Sequence, residues 1–440
     1  MSGDVVVPRR TVKSIGTVEG DLIIERATVQ AIQPPIIVKG AVRCRGDCRI
    51  EDSIIAHSLK NPDGDVDVHG DLQVENLVDI HGGNLNVRGN LSAKSVEAYK
   101  KANIKGSLAV DDIKVSRSLY VRGTSKAETM RVGNKCELEA SAEITDLKVG
   151  NSLNTSGYYI GKIISIGGNF KAKENVDVEN IDVGGNIHVD ENLISKYIRV
   201  GGNLYLQGGK LGGQVITGGK IRSRDFLMFE DLRAASSIEI ESGEGRNIDV
   251  GGSFKCHGDL KFNEMDVGGR VKIDGNAEGS DIDVGGTVKI GGNLQLTNSI
   301  NVGGILDVKQ KLTASSVEVS GKITCYQIEA RDNIETNLLR TTLGAKANRI
   351  KIGKNGEVEG PIIAKNVYLK EKVNAEDIYG EDVTLRRGCI VNNIYAARVI
   401  IDSNCQILGK ILYTESLSLG KRVDYRSNPE KIEILPEPPF

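Results

Sequence analysis

Along most of the chain, apolar residues come in pairs separated by one intervening position, and the pairs recur at a nearly constant interval. One column reads Ile113/Val115, Met130/Val132, Leu147/Val149, Ile164/Ile166, Ile181/Val183 and Ile198/Val200, and continues as Ile248/Val250, Met265/Val267, Ile282/Val284 and Ile300/Val302. Alternation with period two marks a strand with one face turned inward. A second column follows in Leu85/Val87, Leu119/Val121, Ile187/Val189, Leu204/Leu206, Ile238/Ile240, Val271/Ile273, Val288/Ile290 and Leu306/Val308. A third, less regular, passes through Leu91, Leu108, Leu193, Leu211, Leu260, Leu294 and Leu312. Three short strands per repeat predict a coil of triangular cross-section.

The interval is set by Gly-Gly pairs. Gly167-Gly168, Gly184-Gly185, Gly201-Gly202 and Gly218-Gly219 are each 17 residues apart, and Gly251-Gly252, Gly268-Gly269, Gly285-Gly286 and Gly303-Gly304 follow at steps of 17, 17 and 18. The member missing between the two sets falls at Ala235-Ser236, where the apolar phase is kept. A unit this short cannot bury its own apolar side and must stack on copies of itself, so the expected fold is all-β: a single-stranded parallel β-helix, or β-solenoid. The phase continues in Val367/Leu369, Val383/Leu385, Val399/Ile401 and Leu417/Leu419. The expected organisation is a lead over residues 1–11, a continuous solenoid over 12–424 that is less regular at 12–77 and 335–350, and a proline-rich tail or cap over 425–440. Dividing the solenoid by the repeat gives roughly 24 coils, a rod on the order of 115 Å at the spacing of neighbouring strands. Right-handed coiling is the preference for parallel crossovers.

Glycine at these corners is expected to supply backbone with φ > 0. Asn84, Asn169, Asn186, Asn203 and Asn293 stand just past corners, either as an amide ladder along one edge or simply as turn residues. No proline lies between Pro62 and Pro361, as a stack of interior strands requires.

Composition narrows the picture. Aromatic residues make up only 4% of the chain, with no Trp and 6 Phe, so the core is thin and built from branched aliphatics that suit strands. A net charge of -2 gives no field to draw nucleic acid or anionic lipid. No apolar run approaches the ~18 residues of a spanning helix, and Met1 to Arg10 lacks a basic stretch followed by an apolar one. Seven scattered cysteines fit reduced thiols, and with the rest give a cytoplasmic expectation.

The corner motifs Val18-Glu19-Gly20-Asp21-Leu22, Val68-His69-Gly70-Asp71-Leu72 and Gly356-Glu357-Val358-Glu359-Gly360-Pro361-Ile362 resemble those of bactofilins, the polymer-forming cytoskeletal family. The resemblance implies a right-handed triangular β-helix that self-associates into filaments through its rod ends, without nucleotide, and scaffolds cell shape or the placement of other proteins. It carries over no catalytic, cofactor-binding or metal site, because the family has no such centre to match.

Candidate chemistry in the residues themselves is sparse. No G-x-x-x-x-G-K-[ST] occurs, since Gly219-Lys220 and Gly161-Lys162 are each followed by Ile, and Gly243-Glu244-Gly245 lacks the third glycine of a dinucleotide loop. Cys44 and Cys48 with His57, His69 and His81 lack the paired Cys-x-x-Cys of a zinc site. Cys136, Cys256 and Cys325 fall in the second inward column, where cysteine acts as a small hydrophobe. Asp63-Gly64-Asp65-Val66-Asp67 opens like a calcium loop but has Val68 where glycine is needed. The leading expectation is a non-enzymatic structural scaffold with no cofactor. Its rivals are a non-polymerising binding or adhesive rod, displaying Tyr158, Tyr159, Tyr205 and Tyr368 outward, and a hexapeptide-type acyltransferase using a His between subunits.

Overall fold

The computed structural model describes residues 3–440, and among them there is no helix: every element is a strand, most of them short, and every pairing is parallel. The chain divides into two units, one ending at Arg224 and one beginning at Asp225.

In the first unit a coil is made of one long and one short strand. Leu108–Val115 has two buried-exposed-buried triplets separated by Asp111 and Asp112, both exposed. Two outward residues in succession flip the alternation, so the strand bends there and serves two faces of the coil. The short strand Ser118–Val121 supplies the third, with Leu119 and Val121 inward. Leu108 then pairs with Ser125, Ile113 with Met130 and Leu119 with Cys136, one coil further on. These are the three expected columns, here called the first face (Leu108/Val110), the second (Ile113/Val115) and the third (Leu119/Val121). Their aliphatic members are almost entirely shielded from solvent. Each buried Val, Leu or Ile contributes ~1.5–3 kcal/mol, so six inward positions per coil offset backbone ordering without a globular core. Coiling begins before the expected boundary at residue 12, because Val5–Val7 already pairs with Leu22–Ile24. The early coils are longer, with a step of 20 residues from Leu22 to Val42 against 17 from Leu108 to Ser125.

The second unit repeats the plan. Asn247–Val250, Glu264–Val267, Asp281–Val284 and Ser299–Val302 stack as the second face, and Ser253–Cys256, Arg270–Ile273 and Thr287–Ile290 as the third. The region 335–350, expected to be less regular, lies within the strand run Ile305–Glu359 and contains Gly344 at φ 135°. Asp424–Tyr425 and Glu430–Lys431 still pair with the preceding coil. Beyond them the tail turns back, and the ring of Phe440 lies against Gly344, where a Cβ would collide with it.

The reason for the corner glycines differs from the expected one. None of the glycines in the eight corner pairs that set the repeat has positive φ. What they share is close stacking: a Cβ on Gly285 would sit 2.6 Å from the carbonyl oxygen of Gly268, and those on Gly184, Gly201, Gly268 and Gly303 would be closer still to the corner before them. Glycine is required because one corner lies directly against the next. The asparagines are resolved as a ladder that also captures backbone. Asn186 donates its N–H (2.9 Å) and its side-chain amide (3.2 Å) to Asn169 Oδ1, Asn203 does the same to Asn186, and Lys220 N–H ends the run on Asn203 Oδ1 at 2.9 Å. At another corner Asp259, Asn276 and Asn293 form an equivalent run.

One residue expected to point outward does not. Tyr159 is fully buried on the first face, in register with Ala142 and Val176. Gly161, two residues on, takes up no inward volume, and the tyrosine ring occupies that side of the coil. Its hydroxyl donates to Ile144 O at 3.4 Å.

Candidate functional site

The polar candidates are dispersed by the coil geometry rather than gathered. His57 pairs with Glu75 at 2.9 Å, His69 with Glu51 at 2.6 Å, and His81 with Asp79 at 2.7 Å while stacking on Tyr99. His188 meets Asp190 at 2.6 Å, and His257 lies between Glu239 at 3.1 Å and Asp274 at 3.7 Å. Each imidazole is held by a carboxylate on the outer surface. Among the described residues no three His, Cys, Asp or Glu side chains converge as metal ligands. The calcium-like segment is corner scaffolding: Asp63 accepts from Gly46 N–H at 2.6 Å, Asp65 from Asn84 N–H at 2.7 Å, and Asp67 from the Asn86 amide at 2.6 Å, while Val66 points inward.

All seven cysteines are free thiols and buried. Burial pushes the Cys136 thiol well up, Cys325 up to about 12 and Cys256 up to about 11, as expected of thiols serving as core. Two pairs behave differently. Cys44 and Cys48 act on each other around one corner, which lowers Cys48 and raises Cys44, and the Cys48 thiol donates to Ile24 O at 3.3 Å. Cys389 and Cys405, one coil apart at equivalent positions, act on each other likewise, which lowers Cys405 to about 7 and raises Cys389, while the Cys389 thiol donates to Lys370 O and the Cys405 thiol to Arg386 O. Cys44 and Cys48 stand close enough in sequence to be read together, whereas Cys389 and Cys405 were not legible as a pair, because residues 16 apart meet only once the coil step is known there.

The second unit also carries an incompletely covered coil. On its second face Leu369, Leu385, Ile401 and Leu419 occupy equivalent positions. Leu385 is 0% and Ile401 1% exposed, yet Leu419 is 40% exposed and Leu417 is only half-buried. Glu430–Lys431 pairs with Leu412–Tyr413 alone. Among the described residues no later strand pairs with Ser416–Leu419, which therefore presents both a free strand edge and two inward-type side chains. The sequence places Leu417/Leu419 correctly in the column. That they lie uncovered is signalled only by the lack of another apolar pair in phase before the terminal prolines.

No family model, curated protein or solved structure matches the chain.

Proposed function

We propose that this protein is a structural scaffold that self-associates end to end without nucleotide, in the manner of the polymer-forming family its corner motifs resemble. The observation that carries this reading is the uncovered coil at Ser416–Leu419. A free edge of in-register parallel backbone with leucines beside it is a template for another strand, and folded proteins ordinarily blunt such edges. Here the following chain turns aside and leaves it open. The reading includes no catalytic step, and the pairing of every histidine with a carboxylate is consistent with that. Reduced buried thiols support a cytoplasmic setting.

Electron microscopy of the purified chain at rising concentration, with and without Leu419→Lys, tests it. Filaments that lengthen with concentration and are lost in the variant are the expected result. Monodisperse single chains at all concentrations would favour a binding rod, and a compact trimer an acyltransferase. The substituted side chain is already exposed, so an unchanged melting temperature separates loss of association from loss of fold.

A further inference from the structure

Two charged columns of the second unit have the same spacing and opposite sign. On the outer side of the second face, Asp249, Asp266 and Asp283 stand in consecutive coils, in direct register, with Glu264 and Asp281 beside them. On the outer side of the third face, Lys255, Lys272 and Lys289 stand in the same three consecutive coils, also in register.

Like charges directly opposite one another in a sheet oppose its formation. The acidic column nevertheless has little compensation. Arg233 reaches Asp249 at 3.9 Å, but among the described residues Glu264, Asp266 and Asp283 make no ion pair. On the other face Lys255 and Lys272 contact Glu239 and Asp274, whereas Lys289 and the adjacent Arg270 make none. The two columns cannot meet within one unit, since the second and third faces of a coil point in different directions. Divalent-cation binding does not explain the acidic column either, because its carboxylates do not converge on a common point.

We propose that the acidic second face of this unit docks against the lysine-bearing third face of a second copy of the same chain, side by side, with the coil axes aligned. The two columns share one step, the spacing of neighbouring strands at ~4.8 Å, so bringing one Asp to one Lys brings the rest into register. A slip by a coil loses a pair, which gives the contact a preferred register. Exposed ion pairs are weak singly, so the contact depends on their number and is sensitive to salt. It is heterologous: a docked pair keeps one unused face of each sign, one on each copy, and the contact propagates laterally. It uses a different surface from the end-to-end contact proposed above and does not require it.

The test measures assembly width, which end-to-end growth leaves unchanged. Electron microscopy and sedimentation of the full chain are compared in ~0.01 M and ~1 M salt, where the screening length falls from about 30 to about 3 Å. Two variants are made, Asp266→Lys with Asp283→Lys, and Lys272→Asp with Lys289→Asp. Wild type is expected to show assemblies at least about twofold wider in low salt than in high salt, as a propagating contact requires. Each variant alone loses most of the charge contrast between its two faces and stays narrow. An equimolar mixture of the two restores opposite faces and regains the width. All four positions are on the outer surface, so unchanged melting temperatures confirm the fold. A wild-type width indifferent to salt, a single variant that widens like wild type, or a mixture that stays narrow would each overturn the proposal, whether or not filaments lengthen end to end.

Discussion

Within the second unit, two stretches turn the same corner, between the second and third faces, by different means. In Val267-Gly268-Gly269-Arg270-Val271 and its repeats, two glycines make the turn without positive φ, and each corner lies so close to the last that a Cβ would strike its carbonyl. In Leu369-Lys370-Glu371-Lys372-Val373 and its neighbours the turn also takes three residues, but the third is left-handed: Lys372, Gly388 and Asn404 have φ of 60°, 79° and 58°. These corners carry Lys, Glu, Arg, Asp and Ser, and a Cβ on Gly388 would meet only Lys372 Cγ, at 3.4 Å. The first unit has the left-handed kind too, at Arg10, Arg26 and Gly46. One solution restricts side chains and relaxes the backbone; the other strains the backbone and frees the side chains. The inward columns are indifferent to which is used.

That indifference is the first thing to break. Val284→Asp, in the glycine-cornered stretch, and Val383→Asp, in the other, each bury an unpaired carboxylate where the valine is at most 1% exposed. Both are expected to cost about 3–5 kcal/mol, read as a loss of denaturation midpoint. Lys289→Asp on the outer surface is expected to leave the midpoint within ~0.5 kcal/mol. A large difference between the two valine variants would mean that the columns depend on corner type after all.

The next effect separates the corners themselves. Gly268→Ala places a methyl group against the Gly251 carbonyl, a backbone atom held in its own ladder, and is expected to cost about 2–3 kcal/mol by overpacking. Gly388→Ala meets no such obstacle and is charged only for left-handed backbone, about 1 kcal/mol. Equal losses in urea denaturation would erase the distinction drawn here.

The columns were legible in the sequence because inward aliphatics recur at a fixed step, and a step is all that stacking needs. The corners were legible in place but not in cause. A glycine required for φ > 0 and one required for close approach look alike in sequence, and the expectation of positive φ at Gly184 or Gly268 chose the wrong one. At Lys372 and Arg26 the left-handed corners were invisible, since neither belongs to a residue class that favours that conformation. Tyr159 was misplaced because its orientation depends on the missing side chain of Gly161. The Cys389/Cys405 pair and the two charge columns follow from register, which the apolar phase determines but which a reading of the apolar phase alone does not display.

The smallest effect is the most diagnostic of the left-handed corners. Lys372 sits at φ 60° between Asn355 and Gly388, equivalent positions in neighbouring coils with the same backbone sign. Lys372→Gly removes the steric cost of that conformation, about 1 kcal/mol, but gives the unfolded chain more freedom, at a cost of about 0.4–1 kcal/mol. The two nearly cancel, so the midpoint is expected to move by less than ~0.5 kcal/mol in either direction. Glycine at Arg270, the equivalent third corner position in the other stretch, relieves no strain because that residue is ordinary strand. There the entropic loss stands alone, and Arg270→Gly is expected to destabilise by about 0.5–1 kcal/mol. The sign of the difference between these two exposed variants therefore reports which corner is paying for its backbone: if Lys372→Gly were as destabilising as Arg270→Gly, the left-handed column would carry no strain.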